Sequence, residues 1–183
     1  RVGTFQYLSM QNDLKTLKIL VDYTMSRHYP DFKYEKNQAI VLLNCVMESQ
    51  IELVVNWMRV GFIHGVMNTD NTTISGETID YGPCAFMDFY NPETVFSSID
   101  YNGRYAFFNQ PSIIKWNLSR FAESLLPLID EDEKKAISIA EENINKFGSL
   151  YKKKWLKMMR KKLGLLEELN EDENLINDLL LYM

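Results

Sequence analysis

The chain has 183 residues, 46% of them apolar and 25% charged, with a formal net charge of −5 and a pI near 5.1. This balance is that of a folded globular chain; it excludes disorder along most of the length and argues against nucleic acid as the main partner. One domain or part of one is expected, long enough to bury roughly 70% of the unfolded surface.

The chain opens on Arg1, not Met, so a piece of a longer protein is expected. The segment RVGTFQYLSMQND has neither the apolar stretch nor the cleavage site of a signal peptide. A first helix is expected over 12–26, where Leu14, Leu17, Leu20, Val21 and Met25 recur at helical spacing, with Asn12 or Asp13 as N-cap. Pro30 in RHYPDF ends it. A long helix follows over 35–60. Its stretch 39–58 is the most apolar in the chain, yet it holds Asn, Glu and Gln, so a buried amphipathic helix is expected and no membrane span. Cys45 lies on it; Cys45 and Cys84 are too few for a disulfide scaffold and are expected as small buried hydrophobes in a reduced compartment.

Gly61 opens a loop, GFIHGVMNTDN. TTIS, Gly76-Glu77 and TIDYG then predict a β-hairpin pairing about 72–75 with 78–81 around a type II′ turn. Residues 84–109 are aromatic and irregular. Pro111 starts a helix to about Leu126, and an acidic DEDE turn leads to another over about 131–146. Gly148 is expected to interrupt before a basic helix over 149–163, and a last helix covers about 173–182. The basic helix, YKKKWLKMMRKKL, has seven cations and no acid. Trp155, Met158, Met159 and Leu163 can share its apolar face, with DEDE and EELNEDE nearby to balance the charge; a membrane surface or an acidic partner is the alternative use. The fold class is therefore mainly α: a helical body with one short β-hairpin.

The loop suggests chemistry. HGVMNTDN, residues 64–71, has the His and Asn of the kinase catalytic loop H-R-D-L-x-x-x-N, but Val66 stands where a kinase keeps its catalytic Asp. The hairpin and Asp80-Tyr81-Gly82 follow in the order of a kinase D-F-G. An Asn carbonyl and an Asp carboxylate are hard oxygen ligands for Mg²⁺ on nucleotide phosphates, so Asn71 and Asp80 are candidate metal ligands. His64 and His28 are expected to be structural. As plain turn residues, Asp70, Asn71 and Asp80 would serve only the backbone. Residue type alone leaves Asp70 and Asp88 both open as a proton acceptor.

Together, RVGTFQY, RHYP, GFIHGVMNTDN, TIDYGP and NGRYAFFNQPSIIKWNLSRFAESLLPLI resemble the SelO (YdiU, selenoprotein O, UPF0061) protein adenylyltransferases, most strongly over 1–128, with a helical part over 129–183. The resemblance implies a single-domain C-lobe piece, 1–183, of a pseudokinase that binds ATP inverted and moves AMP to Ser, Thr or Tyr hydroxyls of proteins. It implies Asp70 as proton acceptor, Asn71 and Asp80 as ligands of Mg²⁺ or Mn²⁺, and Arg1 and Asp80 as nucleotide-binding residues. The glycine-rich segment, a phosphate-contacting Lys, its acidic partner and a first Arg would precede Arg1, so the piece alone is expected to be inactive. A cytoplasmic place in a bacterium, or a mitochondrial one in a eukaryote, is implied. A non-catalytic binding module and a conventional phosphotransferase are the alternatives; Val66 argues against the latter.

Overall fold

A computed structural model describes residues 1–183. Seven α-helices carry the chain: α1 (Val2–Met10), α2 (Leu14–His28), α3 (Gln38–Val60), α4 (Gln110–Ile129), α5 (Glu133–Asn145), α6 (Phe147–Leu163) and α7 (Asp172–Tyr182). The single β pairing joins β1 (Phe62–Ile63) to β2 (Ala85–Phe86), antiparallel, with Phe62 opposite Phe86 and Ile63 opposite Ala85.

The core is built around α3. Leu42, Leu43, Val46, Ile51 and Val54 are fully buried on it, and it packs on α4 and α6. By length and composition α3 could cross a membrane, but half of its most apolar window is buried inside the protein, as in a core helix. On α4, Ile114, Leu118, Phe121 and Leu125 recur at helical spacing and are buried; this face meets α1 and α3 while α5 covers another side. Phe121 meets Phe5 of α1 edge-on, ring centroids 5.0 Å apart.

The caps follow from sequence. Asp13 caps α2 by accepting from Thr16 N at 3.0 Å. Asn37 caps α3 by accepting from Ile40 N, and its Nδ2 donates to the Ile129 carbonyl at 2.9 Å. That bond satisfies the last carbonyl of α4, which runs past the expected end at Leu126 and through Pro127. The break before α6 falls at Lys146, not at Gly148, which lies in the first turn of α6. Cys45 and Cys84 are unpaired and only half-buried.

Two expectations need correction. The region before residue 12 holds α1, a helix the sequence reading did not predict. The hairpin over 72–81 is a reversal without a ladder. The carbonyls that would pair across it are taken by side chains from elsewhere: Thr73 O by Gln50 Nε2 at 2.7 Å, Ile74 O by Tyr29 Oη at 2.6 Å, and Ile79 O by His64 Nε2 at 2.8 Å. Thr73 Oγ1 closes the turn itself, donating to Glu77 O and accepting from Glu77 N. Gly76 has φ +75, and a Cβ there would lie 2.8 Å from Ser49 Cβ; only glycine lets this turn lie flat on α3.

Candidate active site

The loop 64–82 rests on two helices. From α3, Gln50 and Trp57 reach it, Trp57 Nε1 donating to Thr78 Oγ1 at 2.9 Å. From α4, two fully buried amides hold its other side. Gln110 Nε2 donates to Phe62 O at 2.9 Å while its Oε1 accepts from His64 N at 3.0 Å. Asn117 Nδ2 donates to Met67 O at 2.9 Å and Thr72 Oγ1 at 2.8 Å. Sequence reasoning passed over both. The available signal was two amides seven residues apart on the apolar face that also carries Ile114, Leu118 and Phe121.

His64 sits at the centre, 1% exposed, with Trp57 and Phe62 against its ring. Its Nδ1 accepts from Val66 N at 3.4 Å, so its Nε2 carries the hydrogen donated to Ile79 O. Val66 in turn accepts at its carbonyl from Asn71 Nδ2, at 2.9 Å. Three bonds thus link Asn71 through Val66 and His64 to the peptide just before Asp80.

This linkage decides what each candidate presents. Because Asn71 Nδ2 is committed to Val66 O, its Oδ1 is the free end of the amide. Asp80 is exposed, has φ +56, and its carboxylate has no hydrogen bond or ion pair within the chain. A left-handed conformation is uncommon outside glycine, and Asp is among the residues that tolerate it. Asp70 lies beside Asn71 on a short 3₁₀ turn, Thr69–Asn71, capped by Asn68 Oδ1. Its carboxylate lies over Gly3 of α1: a Cβ on Gly3 would overlap Asp70 Oδ1 and stand 3.1 Å from Cγ. Val2 N donates to Thr72 O at 3.0 Å, fixing the start of α1 to the same turn. Arg1 is exposed there, at the edge of a cleft of about 280 Å³ that Arg27, His28, Thr73 and Ser75 also line. Asp88 lies apart, in a separate apolar cleft with Met87, Tyr90 and Lys162.

By type, an Asn carbonyl oxygen and an Asp carboxylate are oxygens that a hard divalent cation takes. Asn71 Oδ1 and the Asp80 carboxylate are oxygens without protein partners, on a loop pinned from both sides. No group of three or more His, Cys, Asp or Glu gathers in the chain. A Mg²⁺ site with one or two protein ligands, completed by water and phosphates, needs no such group.

The family model described as "Protein adenylyltransferase SelO" matches residues 1–183. The chain belongs to the SelO family. The match therefore extends beyond residue 128, through α5, α6 and α7. Among its relatives, a protein of Pelagibacter ubique named "Protein nucleotidyltransferase YdiU" is 61% identical over 183 residues, all of this chain and 38% of that protein. A Clostridium botulinum protein of the same name is 59% identical over the whole chain and 37% of its own length. One from Anoxybacillus flavithermus is 59% identical over 180 residues. The chain thus spans less than two fifths of the length of these SelO relatives.

Burial lowers the pKa of the His64 imidazole, because the charged ring would lose its water; the Ile79 carbonyl and Asp80 offset part of that. The unfolded chain takes up a proton below about pH 6.5 that the folded chain resists, so this contribution to stability is complete above that pH and falls as acid is added. Urea midpoints measured from about pH 7.5 to about pH 5.5 are expected to decline, and to decline less in His64→Phe, which keeps the ring packing but neither titrates nor bonds. Equal slopes in the two proteins would remove His64 as the cause.

Proposed function

We propose that this chain supplies the base and the metal ligands of a protein adenylyltransferase. The full-length protein then moves AMP from ATP to Ser, Thr or Tyr hydroxyls. The observation that carries this reading is the hydrogen-bonded linkage from Asn71 through Val66 and His64 to Ile79. It orders Asn71 Oδ1 and sets the backbone of Asp80, with Asp70 held alongside. The names of the relatives support nucleotidyl transfer.

In this reading, Asp70 accepts the proton of the acceptor hydroxyl as that oxygen bonds to the α-phosphorus. The bond from the α-phosphorus to the bridging oxygen breaks, and pyrophosphate leaves with that electron pair. Asn71 Oδ1 and Asp80 hold Mg²⁺ or Mn²⁺, which neutralises phosphate charge when bound. Arg1 holds the far phosphates of an inverted ATP, its planar fork suiting their oxygens. Val66 supports the inversion: an apolar side chain beneath a γ-phosphate acceptor would leave that reaction without a base. The kinase-like C-lobe is part of the same proposal, with the nucleotide cradle on the portion of the protein before Arg1.

Full-length protein given ATP radiolabelled at the α- or the γ-phosphorus tests the reading. Protein-bound label is expected from the α position only, in wild type and in Val66→Asp alike. Label from the γ position would replace the proposal with a phosphotransferase, and no label from either with a non-catalytic binding module.

A further inference from the structure

We propose that the cleft between α3 and α6 is a docking groove for an acidic polypeptide segment of a partner protein, an inference independent of the catalytic reading. Much of α6 is accounted for by the fold: Met158 and Met159 are buried against the core, and Trp155 and Leu163 are partly so. Some of its charge is also satisfied. Lys152 pairs with Glu173 at 2.7 Å and Lys154 with Glu52 at 3.0 Å, while Arg160 binds Asp172 at 2.5 Å and Glu168 at 3.3 Å. The EELNEDE segment thus balances part of the helix, and the DEDE turn contributes no ion pair to it.

The rest converges on one place. A cleft of about 640 Å³ is lined by Arg59 of α3 and Lys154, Lys157, Lys161 and Lys162 of α6, against a single acid, Glu52. Glu52 is already bonded to Lys154. Lys157, Lys161 and Arg59 make no direct ion pair, although Lys157 adds its field to the Lys154 hydrogen bond that lowers the Glu52 pKa, and Lys162 Nζ donates to the Arg59 carbonyl at 2.6 Å. Cations in the last turn of α6 offset its helix dipole, but that does not explain Lys154, Lys157 and Arg59 facing the same space from two helices. In a chain with net charge −5, a concave cluster of unpaired cations focuses the field on an anionic ligand.

The chemistry favours carboxylates. No aromatic side chain lines the cleft, so it offers no stacking platform for bases. A bilayer is flat and reaches only the rim of a groove between two packed helices. Four of the five cations are lysines, whose mobile point charges suit carboxylates spaced along an extended segment.

The test uses full-length protein and a fluorescein-labelled glutamate decapeptide, with the glutamine decapeptide as neutral control. Wild type is expected to bind the glutamate peptide alone. The double variant Lys157→Gln/Lys161→Gln should raise its Kd about tenfold, and raised salt should abolish binding. Both lysines are exposed, so an unchanged melting temperature shows the variant folded. Lys153→Gln, on the same helix but outside the cleft, should bind as wild type. The proposal is overturned if the glutamate peptide fails to bind, or if the double variant binds it equally. It is overturned too if oligothymidylate, or phosphatidylserine–phosphatidylcholine vesicles, bind more tightly and lose affinity in the same variant. Protection of Lys157 and Lys161 from acetylation in the free full-length protein would assign the groove to the rest of the chain and end the partner reading.

Discussion

Asp70→Asn in the full-length protein is expected to cut AMP transfer by about 10²–10⁴-fold, the usual cost of losing a general base, with ATP affinity close to wild type. Asn has the same shape as Asp, so its contact over Gly3 and the 3₁₀ turn survive, and only the capacity to take a proton is lost. Asp80→Ala should behave differently. It removes a charged oxygen from the proposed metal site, so the apparent Kd for Mg·ATP is expected to rise along with the loss of rate. Asp88→Asn should leave both unchanged, because Asp88 faces a different cleft, beside Met87 and Lys162. Rates with α-labelled ATP and nucleotide titrations on the three variants separate these cases. Full activity in Asp70→Asn would end its role as base, and a loss in Asp88→Asn would move that role.

Phe121→Ala is expected to destabilise the fold by about 3–5 kcal/mol, as for other buried aromatic truncations. Phe121 is fully buried on α4, and the edge-on Phe5 ring gives α1 its aromatic anchor. Little can collapse into the space left, since α3 and α1 close it from two sides. A loss of this size is a large share of typical domain stability and lowers Tm by roughly 10 °C. Phe5→Ala and the double variant complete a cycle, in which the two losses should be less than additive because the rings share one contact. A single-variant loss below about 1 kcal/mol would mean that α1 does not pack on α4 as described.

Six of the seven helices were legible because their apolar residues repeat at helical spacing over more than ten residues. Only α1 escaped. It is nine residues long, with two buried residues, Val2 and Phe5, and the partly buried Leu8 as its only signal. The reversal at Gly76 was readable from its local residues, but the missing ladder was not. Gln50, Tyr29 and His64, which take the carbonyls at 73, 74 and 79, are 15 to 45 residues away in the chain. The candidate site divides in the same way. Asn71 and Asp80 stand out by order along the sequence, whereas Gly3 under Asp70 and the amides of Gln110 and Asn117 join the site only once the helices pack.

The bonds from Asn71 to Val66, from Val66 to His64 and from His64 to Ile79 also bear on affinity. Ordering a mobile side chain on binding costs about 0.5–1.5 kcal/mol each time. Here Asn71 is fixed by a neighbouring carbonyl, and the backbone leading into Asp80 by a buried ring. Most of that entropic cost falls on folding instead, so under the proposed function the loop is preorganised before any nucleotide arrives.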